Sequence, residues 1–135
     1  MSPNKSVVQR FNHEVIENLD MAAFSELVAP AFINHSAPPG APQGPEGFAA
    51  FFTTVLHEAF TGIQVRIHDQ LEEDGKVATR KTIEGTHSGP FFGHAPTGRR
   101  IRIPVTDIVR VKEGQYVEHW GSADLYGAIA QITKP

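Results

Sequence analysis

Two ionisable residues, Asp107 and His119, fall at apolar positions of the last hairpin that the sequence predicts. The hairpin is centred on Gly114. A three-residue loop over residues 112–114, with the glycine in the left-handed conformation, predicts that Asp107 lies directly opposite His119. A two-residue loop would instead scatter charges over the apolar face, because a one-residue slip turns every side chain over. The three-residue register is therefore favoured.

An aspartate beside a histidine can do acid–base chemistry. The carboxylate orients the imidazole ring and favours its protonated form. Such a pair can remove a proton from a carbon next to a carbonyl group and stabilise the enolate that results. The alternative is a structural ion pair without chemistry, since either group is costly to bury alone. Asp107 and His119 are the candidate catalytic residues.

Further side chains are predicted to line a pocket beside this pair. The dipeptide at 34–35 precedes a Pro- and Gly-rich loop and lies either at the pocket mouth or in a surface turn. His87 shares the strand parity of Ile83 and is predicted to point inward, whereas Lys81 breaks the apolar alternation, which favours a bulge or an outward turn. The candidate substrate-binding residues are Asn34, His35, Phe52, Leu56, His87, Val105 and Gly121.

Several classes of site are not expected. The chain has no cysteine, which excludes disulfides and thiolate chemistry. No HExxH or HxH pattern indicates a metal site, and no phosphate loop, dinucleotide fingerprint or GxSxG motif is present. The net charge of −3 does not suggest a nucleic-acid partner. We therefore expect no metal and no cofactor.

The composition is that of an ordinary globular domain. At 135 residues the size favours a single domain over 1–135. No run of 18 apolar residues indicates a membrane segment. The lack of cysteine and of an apolar leader in residues 1–20 fits a cytoplasmic location.

The periodicity predicts helices first and strands afterwards, which is typical of an α+β fold. Asp20 and Pro45 mark the starts of the second and third helices, and the third carries a broad phenylalanine face. An Asp74-Gly75 turn predicts a hairpin. We expect a curved antiparallel sheet that encloses one apolar pocket with the helices. The predicted strands cover about 63–71, 77–89, 99–111 and 116–124, and a last helix covers 125–132.

Four segments, in this order along nearly the whole chain, resemble the SnoaL-like polyketide cyclases, also called ester cyclases. They are NHSAPPG at 34–40, GPEG at 44–47, GTHSGPFFG with the following PTGR at 85–99, and VEHW at 117–120. The resemblance implies a cone-shaped fold like that of nuclear transport factor 2, also described as a cystatin-like α+β roll. It also implies a homodimer or homotetramer formed through the outer sheet face.

The same resemblance implies a reaction. The best-known members close a ring of an aromatic polyketide by intramolecular aldol condensation, without metal or cofactor, and so act on a small apolar, carbonyl-containing molecule. Their catalytic aspartate comes two residues after the histidine of the last strand, a position held here by Gly121. The partner opposite, usually histidine, corresponds to Asp107. A non-catalytic binding or structural protein and an epoxide or lactone hydrolase are the alternatives.

Overall fold

The computed structural model describes residues 2–135, which form four helices and five strands. Helix α1 (Pro3–Phe11) continues as a π-helix (Asn12–Glu17), and α2 is Met21–Leu27. Helix α3 starts at Pro45–Ala50, continues as a π-helix (Phe51–Leu56) and ends at His57–Ala59. The last helix, α4, is Leu125–Thr133. The strands are β1 (Val28–Asn34), β2 (Phe60–Glu73), β3 (Lys76–His87), β4 (Arg100–Lys112) and β5 (Gln115–Ala123).

The helix starts follow from local capping chemistry. The Asp20 carboxylate accepts a hydrogen bond from the Ala23 N–H at 3.1 Å, as predicted for the start of α2. The Asp124 carboxylate accepts from the Gly127 N–H at 2.7 Å and starts α4 in the same way. These side chains satisfy backbone donors that the first turn of a helix leaves unpaired.

The predicted α+β class is confirmed, but the sheet is not wholly antiparallel. The strand order is β1-β5-β4-β3-β2, and β1 pairs with β5 in parallel. The strand β1 begins at Val28, directly after α2. Pro30 lies within it, which an edge strand tolerates because a proline there removes no ladder bond that a neighbour needs.

The register predicted for the last hairpin is wrong. Glu113 and Gly114 both have positive φ, 52° and 78°, and form the two-residue turn that was disfavoured. One residue, Val117, is then bulged out of the ladder between Arg110 and Val111. The bulge restores the inward and outward pattern that the shorter turn would have inverted. Asp107 consequently pairs with Gly121, and His119 pairs with Val109.

The helices cover the concave face of the sheet with a core rich in phenylalanine. Phe11 stacks on Tyr116 at 4.4 Å between ring centroids and on Phe48 at 5.6 Å. Phe32 and Phe52 pack on Phe48 from either side, at 4.7 and 5.0 Å. This aromatic layer occupies the interior next to the Asp107 end of the sheet. No helix within residues 2–135 is long and apolar enough to cross a membrane.

Candidate functional site

Asp107 lies on the concave face of β4 with only 6% of its surface exposed. One carboxylate oxygen, Oδ2, lies 3.3 Å from the Nζ of Lys81 and 3.3 Å from the Nε2 of His119. The other oxygen, Oδ1, is buried and has no hydrogen-bond partner among the described residues. Asp107 and His119 are thus in contact as expected, although they are diagonal neighbours rather than a directly opposed pair.

Gly121 allows this diagonal contact. A Cβ atom at position 121 would lie 2.7 Å from the Cε1 of His119 and 3.7 Å from the Cβ of Asp107. The imidazole ring therefore occupies the space that a side chain at 121 would need. Its reach across to Asp107 depends on glycine at that position.

The second nitrogen of His119 is also held. Its Nδ1 lies 2.9 Å from the Oδ1 of Asn34. That oxygen also accepts a hydrogen bond from the Ser36 N–H at 3.1 Å, which fixes the orientation of the amide. Both ring nitrogens are therefore in contact with side-chain oxygens, which fixes the plane of the imidazole ring.

Lys81 and Asn12 complete the cluster, and the sequence did not predict either of them. Lys81 points inward with 3% of its surface exposed, against the expected bulge or outward turn. Its Nζ donates to the Oδ1 of Asn12 at 2.7 Å, and the Nδ2 of Asn12 donates to the Val8 carbonyl at 2.8 Å. The sequence signal for Lys81 was that a polar residue stands where the alternation of β3 predicts an inward-pointing side chain. Nothing in the sequence marked Asn12, which starts the π-helical segment of α1.

Opposing effects set the charge of Asp107. Burial raises its pKa, but the Lys81 ammonium and the hydrogen bond and charge of His119 outweigh burial, so the pKa is lowered from its usual 3.8. Asp107 is thus a carboxylate at neutral pH. Burial, and then the charge of Asp107, raise the pKa of the Tyr116 phenol well above 10.

The remaining predicted site residues are dispersed. His35 lies on the outer face, where its Nε2 is 2.8 Å from Glu118 and its ring stacks on Trp120 at 4.8 Å, so it is not part of the cluster. His87 is fully buried at the other end of β3, where its Nδ1 contacts Thr97 at 3.1 Å. It lies six positions further along the strand than Lys81, a distance of about 20 Å.

Phe52 and Leu56 belong to the packed core, whereas Val105 is half-buried beside the cluster. Phe52 and Leu56 expose 4% and 2% of their surfaces. Val105 pairs with Lys81 on one side and Ala123 on the other. The cluster reaches solvent through His119, whose side chain is 14% exposed, and through half-buried Gly121.

Two grooves, of about 500 and 260 Å³, run along β3, β4 and β5. Lys81 and Val105 are among the residues that line the larger groove, and Asp107 and Gly121 are among those that line the smaller one, together with outward-facing threonine and serine side chains. Within residues 2–135, no group of three or more histidine or acidic side chains is arranged to hold a metal ion.

A family model for the SnoaL-like polyketide cyclases matches residues 6–132. The chain belongs to this family. Solved structures agree with the assignment. IdmH of Streptomyces antibioticus, named as a candidate polyketide cyclase, is 29% identical with a TM-score of 0.84, over 96% of this chain and 97% of IdmH. A candidate SnoaL-like polyketide cyclase of Jannaschia sp. CCS1 is 27% identical with a TM-score of 0.83, over 98% and 93% of the two chains.

More distant structures share the fold. TsrD of Streptomyces laurentii has a TM-score of 0.86 at 22% identity, over 98% of this chain and 96% of TsrD. A Catenulispora acidiphila protein described as having a ketosteroid isomerase-like fold has a TM-score of 0.74 at 14% identity, over 96% and 93% of the two chains. The expected fold, like that of nuclear transport factor 2, is confirmed. No functionally curated protein matches the chain.

Proposed function

We propose that this member of the family is an enzyme that performs acid–base chemistry on a small, apolar carbonyl compound. Asp107 is the proposed base, and His119 is the proposed acid. A cyclase-type aldol reaction or a related isomerisation fits this chemistry and requires no metal or cofactor.

The supporting observation is the asymmetry of the Asp107 carboxylate. Its Oδ2 contacts the Lys81 ammonium and the His119 ring, whereas its Oδ1 is buried without a partner among the described residues. A buried acceptor without a hydrogen bond is costly in a folded protein and is often explained by function. A bound molecule that brings a C–H or O–H group to Oδ1 would satisfy it.

The proposed step conserves charge and protons. Asp107 Oδ1 takes a proton from the carbon next to a carbonyl group, and the electron pair of that C–H bond moves to the carbonyl oxygen. In this proposal His119 is protonated. Once Asp107 has become neutral it holds the Nε2–H of His119 less strongly, so this N–H turns to the enolate oxygen, stabilises it and donates its proton as the product forms. In a cyclisation, the enolate carbon attacks a second carbonyl of the same molecule, and the proton goes to the new alkoxide.

The test uses simple ketones, because the natural substrate is unidentified. Deuterium exchange next to the carbonyl of 1-indanone, 1-tetralone and acetophenone is followed by proton NMR in D2O with purified full-length protein. We expect the wild-type protein to accelerate exchange of at least one ketone. Asp107→Asn should slow the protein-dependent rate about a hundredfold or more, because an amide cannot accept the proton.

Asp69→Asn is the matched control. Asp69 pairs with Arg80 on the outer face and is well exposed, so its loss should leave the exchange rate unchanged. Circular dichroism verifies that each variant is folded at the assay temperature. Exchange that is equally fast with Asp107→Asn, or no acceleration of any of the three ketones by the wild-type protein, would contradict the proposal.

A non-catalytic role is the second candidate, and the pairing of the negative charge of Asp107 with a neighbouring cation favours it. The carboxylate is paired with a buried lysine, and the ring of Phe48 lies 5.1 Å from that of His119. Removing one partner of a buried pair costs about 3–5 kcal/mol, whereas replacing both with apolar residues is often neutral. The double variant Asp107→Leu with Lys81→Met tests this role. The non-catalytic role is supported if the double variant is as stable as the wild-type protein and the wild-type protein accelerates deuterium exchange of none of the ketones.

The hydrolase alternative has less support. Hydrolysis by paired carboxylates needs two acidic groups inside the fold. Among residues 2–135 the buried acids are Asp107 and Glu84, and Glu84 lies on the outer face with Arg66 and Arg102.

A further inference from the structure

We propose that Lys81, held in place by Asn12, is a positioning residue for Asp107. It fixes Oδ2 so that Oδ1 is the oxygen presented to a bound molecule. This inference rests on the proposed function, which assigns the proton transfer to Oδ1.

The first argument is the placement of the lysine. Its ammonium group is almost completely buried and lies between two oxygen acceptors, the Oδ1 of Asn12 at 2.7 Å and the Oδ2 of Asp107 at 3.3 Å. A buried cation costs free energy that an apolar side chain of similar size would avoid. Its presence beside a single carboxylate therefore indicates a role beyond filling space.

The second argument is that Asn12 itself is fixed. Its side chain is fully buried, and its Nδ2 donates to the Val8 carbonyl one helical turn earlier. The amide nitrogen is thus committed to the backbone, so the amide oxygen must face Lys81. The lysine is consequently anchored from the helix side of the core.

The third argument is that the polar contacts form one chain across the interior. It runs from α1 to the loop after β1, with every neighbouring pair within 3.3 Å, through Val8, Asn12, Lys81, Asp107, His119, Asn34 and Ser36. Lys81 and His119, the two residues of this hydrogen-bond series that reach Asp107, both contact the same carboxylate oxygen, Oδ2. A carboxylate held in this way cannot rotate freely, so Oδ1 keeps one direction.

A ligand-free titration tests the positioning role. The Asp107 carboxyl carbon is followed by ¹³C NMR as the pH is varied, in the wild-type protein and in Lys81→Met. Because an opposite charge in contact lowers the pKa of a carboxyl group, its removal should raise the Asp107 pKa by about one to three pH units. Arg80→Met is the matched control, since Arg80 immediately precedes Lys81 in β3 and faces the outer side. It should leave the titration unchanged.

The exchange assay supplies a second readout. If Asp107 is the base, raising its pKa shifts the acidic limb of the rate profile to higher pH in Lys81→Met. Lys81→Arg retains the positive charge and should restore most of the wild-type profile. A lysine that served only to fill space would not move this limb.

The outcomes separate the two proposals. If the wild-type protein accelerates deuterium exchange of none of the ketones, the proposed function fails, but the titration of Asp107 still tests the role of Lys81. An Asp107 titration that is the same in Lys81→Met and in the wild-type protein would overturn the positioning role. Should Lys81→Met not fold, Asn12→Ser takes its place. It shortens the anchor of the lysine, and we expect a smaller rise of the same pKa, whereas an unchanged titration again overturns the role.

Discussion

At position 121 the absence of a side chain decides where His119 lies. The imidazole ring occupies the volume that a Cβ atom would take, 2.7 Å from its Cε1. The resemblance to the aldol cyclases implies that those proteins carry their catalytic aspartate at this position, where this chain has glycine. In this chain the carboxylate that contacts His119 comes from β4, and the ring lies over Gly121 of its own strand.

Gly121→Ala should break the contact between His119 and Asp107. The new methyl group would force the ring aside, while the strand register, which the turn and bulge determine, stays in place. NMR of the His119 ring and a crystal structure of the variant measure both effects. Gly44→Ala is the control, since a Cβ there meets nothing within 4 Å and its φ is negative. A ring that keeps its position in Gly121→Ala would contradict this explanation.

At the residue scale, the sequence predicted correctly which polar side chains point to the concave face of the sheet. Asp107 and His119 are polar residues in an otherwise apolar pattern, and that alternation placed both on the concave face. The same reasoning did not identify Lys81, because a lone inward lysine is costly without partners that the sequence could not reveal. Those partners come from residues 69 positions earlier and 26 positions later in the chain.

At the scale of elements, the last hairpin shows which features of a strand pair the alternation of apolar and polar residues predicts and which it does not. Alternation specifies which residues share a face, and this part of the prediction is confirmed. It does not distinguish a three-residue loop from a two-residue turn followed by a bulge, since both preserve the alternation. Capping residues, by contrast, act within one turn of helix, so the start of α2 could be predicted from Asp20.

The turn itself offers a stabilising substitution. Glu113 has a φ of 52°, a left-handed conformation that Asn adopts at lower cost than Glu. Glu113→Asn creates the Asn-Gly pair that type I′ turns prefer, and we expect the free energy of unfolding to rise by about 0.5–1 kcal/mol.

The companion turn provides the control for this prediction. Asp74 and Gly75 form the same type of turn between β2 and β3, with φ values of 52° and 76°. Since Asp already suits that position, Asp74→Asn should change stability by less than about 0.5 kcal/mol. Urea unfolding measures both variants. A Glu113→Asn variant no more stable than the wild-type protein would contradict the assigned turn geometry.

At the scale of the whole molecule, the α+β class followed from the order of helical and strand patterns. The parallel pairing of β1 with β5 did not, because it joins segments about 85 residues apart and no local signal encodes it. The outward position of Leu71 could not be predicted from the sequence either. It continues the inward alternation of β2 in the sequence, but the ladder shifts between Ile67 and Asp69 and turns Leu71 outward.

That shift creates an apolar row across the outer face of the sheet. Directly paired residues on four neighbouring strands are Leu71, Ala78, Ile108 and Trp120. Leu71 is 72% exposed and Ile108 is 39% exposed. Trp120 is partly covered by the ring of His35 and by the Lys76 ammonium, 5.7 Å from its centroid. An exposed apolar row of this length on a sheet is typical of a surface that another protein covers.

A second copy of this chain is the partner that fits the apolar row. Two copies related by a two-fold axis bring the same surface of each together, so the two apolar rows would meet at the centre of the contact.

We therefore predict a homodimer formed through the outer face. Sedimentation velocity at micromolar concentration should give a dimer for the wild-type protein. Ile108→Glu should shift the protein to a monomer, since it places two like charges at the centre of the interface. Tyr126→Glu is the matched control: Tyr126 is 87% exposed on α4 and outside the apolar row, so this variant should remain dimeric. A wild-type monomer, or an Ile108→Glu variant that is still a dimer, would show that this face is not the interface, because no two-fold contact through the row could accommodate the buried carboxylates.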